Sequence, residues 1–254
     1  MPSPFDILSG RAVDRALDGA VCPSFIGIVL PANNEERHIR HSVLAIKRSL
    51  AHAALEQIHI ELVVVADSSS DATADLAQLA LGSRGHVVEV HHQNAGAARR
   101  AGFDRLMLAS EGLGEEDVWF ATTDADSLVP TDWLLRQLRW WRRGADAVAG
   151  TVAPFSWEEQ PPRVRRRYVS HVAALGTGNG HPHVHGANLA MTKDTYRAAG
   201  GMPAIATGED HALWDAARAA GRRAVHVGDV IVETSARREG RAQGGFADLL
   251  RSLG

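Results

Sequence analysis

The chain has 254 residues, 45% of them hydrophobic and 22% charged, which is a globular composition and excludes disorder; the length suits one large α/β domain or two small ones. Its 27 basic and 30 acidic residues leave a net charge of −3, so there is no electrostatic footprint for nucleic acid or an acidic membrane surface. A single cysteine, Cys22, excludes an intrachain disulfide and a cysteine-based zinc site.

Residues 1–24 read as a short extension. Charges at Asp6, Arg11, Asp14, Arg15 and Asp18 interrupt it, so it is not expected to act as a signal peptide. Residues 26–30 (Ile-Gly-Ile-Val-Leu, preceded by Phe25) predict a buried strand. A helix follows from about residue 35, with Ile39, Val43, Ile46 and Leu50 on one face. Residues 58–66, ending Leu-Val-Val-Val-Ala, carry the strongest strand signal. Asp71 is placed to cap a second helix that Gly82 closes. A third strand is expected at 87–91, a third helix at 95–110 and a fourth strand at 118–122. This alternation predicts βαβ units and a mostly parallel sheet with helices on both faces.

After residue 150 the alternation fails, and Pro154, Pro161, Pro162, Gly176, Gly178, Gly180 and Pro182 mark loops. Short helices are expected at 131–143, 163–174, 193–199 and 209–219. Short strands are expected near 146–150, 187–191 and 224–233. This half is read as the second wall of a cleft rather than a separate domain. No run of 18 apolar residues exists, so no membrane span is expected. The helix at 131–143 carries Trp133, Trp140 and Trp141 on one face among arginines. Core packing is its first reading, and peripheral membrane attachment stays open as the second.

In open parallel sheets the ligand sits beyond the carboxyl ends of the strands, and polar residues cluster at each predicted end: Pro31–Glu35, Asp67–Asp71 and Asp124-Ala-Asp126. Alternate acids after a strand can point to one side, where a hard divalent ion gripping a diphosphate would relieve their repulsion. The same acids would also suit a capping turn. Asp67 reads as a ligand to a base or ribose, and Asp71 as a cap. Arg99 and Arg100 open a helix whose amide end suits an anion. Glu209 and Asp210 begin another helix, where an aspartate can cap or can act as general base on a hydroxyl. His181, His183 and His185 alternate, so an extended segment would set all three on one side, as a polar cleft wall or, less commonly, a metal site. No Gly-Lys-Ser/Thr, no Gly-x-Gly-x-x-Gly after the first strand, no His-Glu-x-x-His and no Gly-x-Ser-x-Gly occurs. P-loop, dinucleotide, zincin and nucleophile-elbow chemistries are therefore disfavoured.

The order of these motifs is more specific than any one of them. Pro31-x-x-Asn34-Glu35, Asp67-Ser-Ser-x-Asp71-x-Thr73, Asn94-x-Gly96-x-Ala98-Arg99, Asp124-x-Asp126, Gly186-x-Asn188 and Glu209-Asp210 together resemble the family 2 glycosyltransferases with the GT-A fold, over residues 25 to 220. The resemblance implies an α/β, Rossmann-like, mostly parallel sheet. It implies one domain over 25–254, with a nucleotide-binding half at about 25–127 and an acceptor half at about 128–254. It implies a nucleotide pocket from Pro31, Asn34, Glu35, Asp67, Arg99 and Asp124, and a Mn2+ or Mg2+ ion at Asp126. Gly186, Asn188, Glu209 and His211 would line the donor and acceptor pocket, with Asp210 as the base of an inverting, hexosyltransferase-like enzyme. If Asp210 is not a base, a retaining route is open.

The chain departs from the family at three places. Ser68 stands where a glycine is usual, Arg100 where an asparagine is common, and the Gln-x-x-Arg-Trp pattern of processive members is missing. Arg237, Arg238 and Arg241 form a basic run that could clamp a diphosphate or simply be solvated. The expected partner is a nucleotide-sugar donor with an acceptor of unspecified identity, and the expected location is cytoplasmic. Two alternatives stand beside this reading. A sugar-phosphate nucleotidyltransferase would need a Gly-rich loop with a lysine after the first strand. A non-catalytic nucleotide-sugar-binding protein would not need Asp126 and Asp210 together.

Overall fold

A computed structural model describes residues 22–158, 160–175, 181–205, 207–236 and 246–254. Gly176 to Gly180 and Arg237, Arg238 and Arg241 lie outside the described residues.

The first half folds as the hydrophobic periodicity dictates. Strand β1 (Phe25–Ala32) leads to helix α1 (Ile39–Ser49), β2 (His59–Asp67), α2 (Thr73–Leu81), β3 (Gly85–Val90), α3 (Ala95–Ala109) and β4 (Val118–Thr122). Strands β1 and β4 are apolar nearly throughout and buried on both faces, as parallel strands sandwiched by helices must be. Helix α1 buries Ile39, Val43 and Ile46, the face its spacing foretold. Asn94 caps α3 by accepting from the Ala97 amide at 3.0 Å. Asp71 acts one residue from where the sequence places it. The capping position of α2 is Ala72, and Asp71 instead accepts from the Thr73 amide at 3.0 Å and the Glu36 amide at 3.2 Å.

The second half is β5 (Ser127–Leu128), α4 (Trp133–Arg142), β6 (Ala147–Pro154), α5 (Pro162–Leu175), β7 (Leu189–Thr192), α6 (Lys193–Ala198), α7 (Glu209–Ala219), β8 (Ala224–Thr234) and α8 (Phe246–Ser252). One sheet runs through both halves in the order β3-β2-β1-β4-β7-β6-β8-β5. Strands β3, β2, β1 and β4 are mutually parallel, and β7 enters antiparallel between β4 and β6. From β1 the chain builds outward through β2 and β3, then crosses back to lay β4 on the other side of β1. The loops leaving β1 and β4 therefore part in opposite directions, and this switch point opens a crevice at their carboxyl ends.

Helix α4 packs on the sheet, with Trp133 and Trp140 buried. Trp133 Nε1 donates to Asn188 Oδ1 at 3.0 Å and Trp140 Nε1 to Asp229 Oδ1 at 2.9 Å, while Arg136 and Arg139 also bind Asp229. Of the tryptophan face expected as core, Trp133 and Trp140 are buried and Trp141 is half-buried, and Arg136 and Arg139 beside them are tied to the partly exposed Asp229. Among the described residues no helix is long and apolar enough to cross a membrane.

The chain's two lysines do the same task. Lys47 Nζ donates to the Ala80 and Leu81 carbonyls at the end of α2, and Lys193 Nζ donates to Ser110 O at the end of α3 at 2.8 Å. Each places a cation on carbonyls at the negative pole of a helix. Lys193 is buried, so Lys193→Met is expected to lower stability by about 1–3 kcal/mol through the lost charge-assisted bond, the Ser110 carbonyl keeping only the Leu113 amide at 3.3 Å. A lower denaturant midpoint with an unchanged slope is the check.

Candidate active site

An open cleft of about 1180 Å³ lies at the switch point. Pro31, Asn34, Glu35, Asp67, Arg99, Asp124, Asp126, Gly186, Glu209, Asp210 and His211 all line it. Residues scattered over 180 positions meet because each follows a strand end or opens a helix at the same edge of the sheet. Asn188 is the exception among the expected pocket residues. It is buried behind the cleft, where its amide nitrogen donates to Thr151 O and Val230 O, and its oxygen accepts from Trp133. All its main bonding capacity is spent inside the protein, so it braces the wall that Gly186 presents. A Cβ at Gly150 would fall 2.2 Å from Asn188 Nδ2, which is why that strand position is glycine.

The loops after β1 and β2 form one side. Asn33 Nδ2 donates to Asp67 O at 2.7 Å, and Asn34 Oδ1 accepts from the Ser70 amide at 2.8 Å. The Glu35 amide donates to Thr73 Oγ1 at 2.8 Å, and its carboxylate meets His38 Nδ1 at 2.9 Å. Asn34, Ser68 and Gln93 all sit in the left-handed region, with φ of 49°, 53° and 50°. Ser68, where the family resemblance calls for glycine, therefore adopts the backbone that a glycine would take without strain. Asn33 lies in this pocket lining as well, although the motif skips it; the consecutive asparagines after a strand were its signal.

Asp67 is more committed than the sequence suggests. Its Oδ1 accepts from the His92 and Gln93 amides at 2.7 and 2.9 Å, and its Oδ2 from the Asn94 amide at 2.9 Å. Burial pushes its carboxyl up, yet those amides and the Ser68 hydroxyl outweigh burial and hold it below the ordinary 3.8. The carboxylate thereby fixes the loop that leads into α3. Asp67→Asn swaps one acceptor for an NH2 facing an amide donor, and is expected to cost about 1–3 kcal/mol at pH 7. Because the folded carboxyl is the more acidic, Asp67's contribution is complete above the unfolded value and fades as pH falls through the folded one. The stability gap between wild type and variant should therefore narrow below pH 3.8 in urea melts across pH.

Across the cleft, Arg99 is buried and its two terminal nitrogens bind Asp124 Oδ1 and Glu209 Oε1. Burial alone would lower its pKa, but Asp124, Glu209 and Asp210 raise it above the usual value, so the guanidinium is always charged. The family resemblance implies Arg99 against the nucleotide; its partners here are two protein carboxylates. Burial pushes the Glu209 carboxyl up, with Arg99 pulling against it. Asp210 is aimed by backbone: Oδ2 accepts from the Gly186 amide and Oδ1 from the His211 amide, each at 2.8 Å.

The third wall is histidine and α8. His181, His183 and His185 stack face to face, with centroids 6.2 and 5.7 Å apart, as an extended segment requires. His183 and His185 line the cleft, and burial, then His183, lowers His185 to about 4, so it is neutral at pH 7. Phe246, Leu249 and Ser252 of α8 complete the lining; a seven-residue helix after the basic run left no periodic signal to find it by. Among the described residues, no group of three or more His, Cys, Asp or Glu side chains stands close enough to hold a metal ion by itself.

The glycosyl transferase family 2 model matches residues 27–202. No curated protein sequence matches the chain significantly. Among solved structures, the mannosyltransferase PcManGT of Pyrobaculum calidifontis, in complex with GDP-Man and Mn2+, is 20% identical with a TM-score of 0.62, over 90% of this chain and 64% of that one. TarS of S. aureus is 14% identical with a TM-score of 0.59 over 84% of this chain, which spans only 37% of it. Its 1–349 form, solved in complex with UDP, is spanned to 61%. Glucosyl-3-phosphoglycerate synthase of M. tuberculosis is 18% identical with a TM-score of 0.54, over 96% of this chain and 81% of that one. With the family model covering 176 of 254 residues (27 through 202) on a GT-A sheet whose strand ends converge on one acidic cleft, the chain belongs to glycosyl transferase family 2.

Proposed function

We propose that the cleft binds a nucleoside-diphosphate sugar together with Mn2+ or Mg2+ and transfers one sugar to an acceptor hydroxyl with inversion. The observation that carries this is the charge of the lining. Glu35, Asp67, Asp124, Asp126, Glu209, Asp210 and Asp248 are seven carboxylates, and among the described lining residues Arg99 is the one arginine or lysine, already paired. A diphosphate cannot enter such a field without a cation beside it. Ions of the magnesium class are held by one or two carboxylates plus substrate phosphates, which suits a site where, among the described residues, no three side chains converge as ligands. Asp126, with Asp124 beside it, is the residue to hold the ion, which when bound would supply Lewis-acid stabilisation of the departing diphosphate.

The chain's own residues supply the rest. The Asn34, Glu35 and Asp67 loops shape the nucleoside pocket. Asp210, its carboxylate oriented by the Gly186 amide, takes the proton from the acceptor hydroxyl. The histidine and α8 wall holds the acceptor. The ligands of the solved neighbours, UDP and GDP-Man with Mn2+, are of the class this chemistry calls for.

A thermal-shift series with UDP-, GDP- and dTDP-sugars, each with and without Mn2+, tests the reading, because a ligand that binds only the folded state raises its melting point. A metal-dependent rise with one donor is expected, followed by release of that nucleoside diphosphate once an acceptor is present. No shift with any donor in the presence of Mn2+ would end the proposal. The missing Gln-x-x-Arg-Trp pattern supports single transfer, and a ladder of added sugars in product mass spectra would refute it.

A further inference from the structure

We propose that Arg99 is a positioning residue that locks Asp124, on the donor side of the cleft, to the Glu209–Asp210 helix start on the acceptor side, so that donor and base are held in one rigid frame. The inference rests on the function proposed above and assigns a part to a residue that touches neither reacting group. Three observations carry it. The guanidinium bridges acids 85 residues apart in sequence (124 to 209), one in the loop after β4 and one at the start of α7. It is buried together with Glu209, so that pair is no solvated surface contact whose geometry could wander, and from the same buried guanidinium the second nitrogen reaches Asp124 at the cleft edge. And Gly186 lies against it: a Cβ there would fall 2.4 Å from Arg99 Nη2 and 2.7 Å from Cζ.

The same Gly186 donates its amide to Asp210. Gly186 therefore touches both the clamp and the base, and the absence of its side chain sets the spacing between them. Gly96, on the first turn of α3, does the matching task below: a Cβ there would meet Pro203 O at 2.3 Å and Glu209 Cβ at 3.0 Å, so α3 packs closely against the loop before α7 and against the side chain that opens α7. Arg99 is carried by that helix. Its planar fork can engage two carboxylates at once from fixed positions, which a lysine ammonium does less well.

The test separates positioning from mere ion-pair stability. Arg99→Lys keeps the charge and loses the fork. Arg99→Met with Glu209→Gln removes the buried charge and its buried partner together, while Asp124, a third exposed, can hydrate. Two measurements are made on each. Hydrogen–deuterium exchange of the ligand-free protein should rise on both sides of the cleft, at 123–126 and at 186 with 208–211, for either variant. Turnover at saturating donor should fall about 10²-fold, the scale of a misplacement of an ångström or so, with donor KM moving much less. In the double variant, recovery of the melting point without recovery of kcat supports positioning.

Two results would overturn the proposal. One is a double variant with wild-type exchange and wild-type kcat, which makes Arg99 a stabilising pair only. The other is a loss confined to donor KM, which makes it a direct nucleotide contact. Failure of the transferase reading is distinct: wild type would then bind none of UDP, GDP or dTDP with Mn2+, while the exchange result still decides whether Arg99 locks the two walls.

Discussion

Asp126→Asn is expected to abolish turnover and to weaken nucleotide binding only when Mn2+ is present. Asp126 follows β4 within Asp124-Ala-Asp126, lines the cleft, and stands at the point where β1 and β4 part. The change keeps the side chain's shape and removes one anionic oxygen donor. For a hard ion held by one or two carboxylates and a diphosphate, that donor is a large share of what the protein contributes. Lewis-acid stabilisation is worth several kcal/mol at a departing diphosphate, so a loss of about 10³-fold or more in kcat is the scale to look for. The experiment titrates Mn2+ against nucleoside-diphosphate release for both proteins, with melting curves as the control for folding. Raising the metal concentration should recover part of the variant's binding and little of its turnover. Normal activity in the variant at limiting Mn2+ would remove Asp126 from the metal site.

What the sequence could disclose follows from how each feature is encoded. Periodicity and strand-end polarity are local, so the alternating first half, the parallel sheet and the acids at its carboxyl edge were all readable. The helix boundaries came within a few residues, as at α3, where Asn94 caps. Pairing partners are not local. Nothing near residue 99 says that its guanidinium is spent on Asp124 and Glu209, and nothing near residue 67 says that three amides of the 92–94 loop already occupy that carboxylate. Asn188 shows the same limit, since a motif position marks its place in the chain but not its direction, and its amide points away from the cleft into the wall. Features of a few residues carry too little pattern to announce themselves. The two-residue β5 and the seven-residue α8 went unforeseen for that reason, although α8 supplies Phe246 and Leu249 to the cleft.

Asp210→Asn is expected to leave donor binding intact and to lower kcat by about 10²–10⁴-fold, the usual cost of losing general acid–base help. Its geometry makes the two roles of this residue separable. As the second residue of α7 it sits at the positive pole of the helix, where a carboxylate is favoured whatever its task. Gly208 precedes it with φ of 75° and no side-chain cap, so the acids of the first turn carry whatever capping there is. Asp210 Oδ2 accepts from Gly186 and Oδ1 from the His211 amide, and an asparagine oxygen can keep one of these bonds but not both. A stability loss of about 1 kcal/mol is therefore expected from the lost charge at the helix end and the lost bond. That figure is too small to empty the folded state and cannot account for a drop of two or more decades in kcat. The chemistry differs in kind, because an amide has no lone pair basic enough to accept a proton from a sugar hydroxyl at any accessible pH. Measuring nucleotide-induced melting shifts, the melting point itself and single-turnover rates on one preparation separates the outcomes. A variant that binds donor as the wild type does, melts slightly lower and turns over at a hundredth of the rate or less identifies the base. A variant that melts lower while kcat stays at the wild-type value reduces Asp210 to a cap on α7 and leaves the inverting route without its proton acceptor.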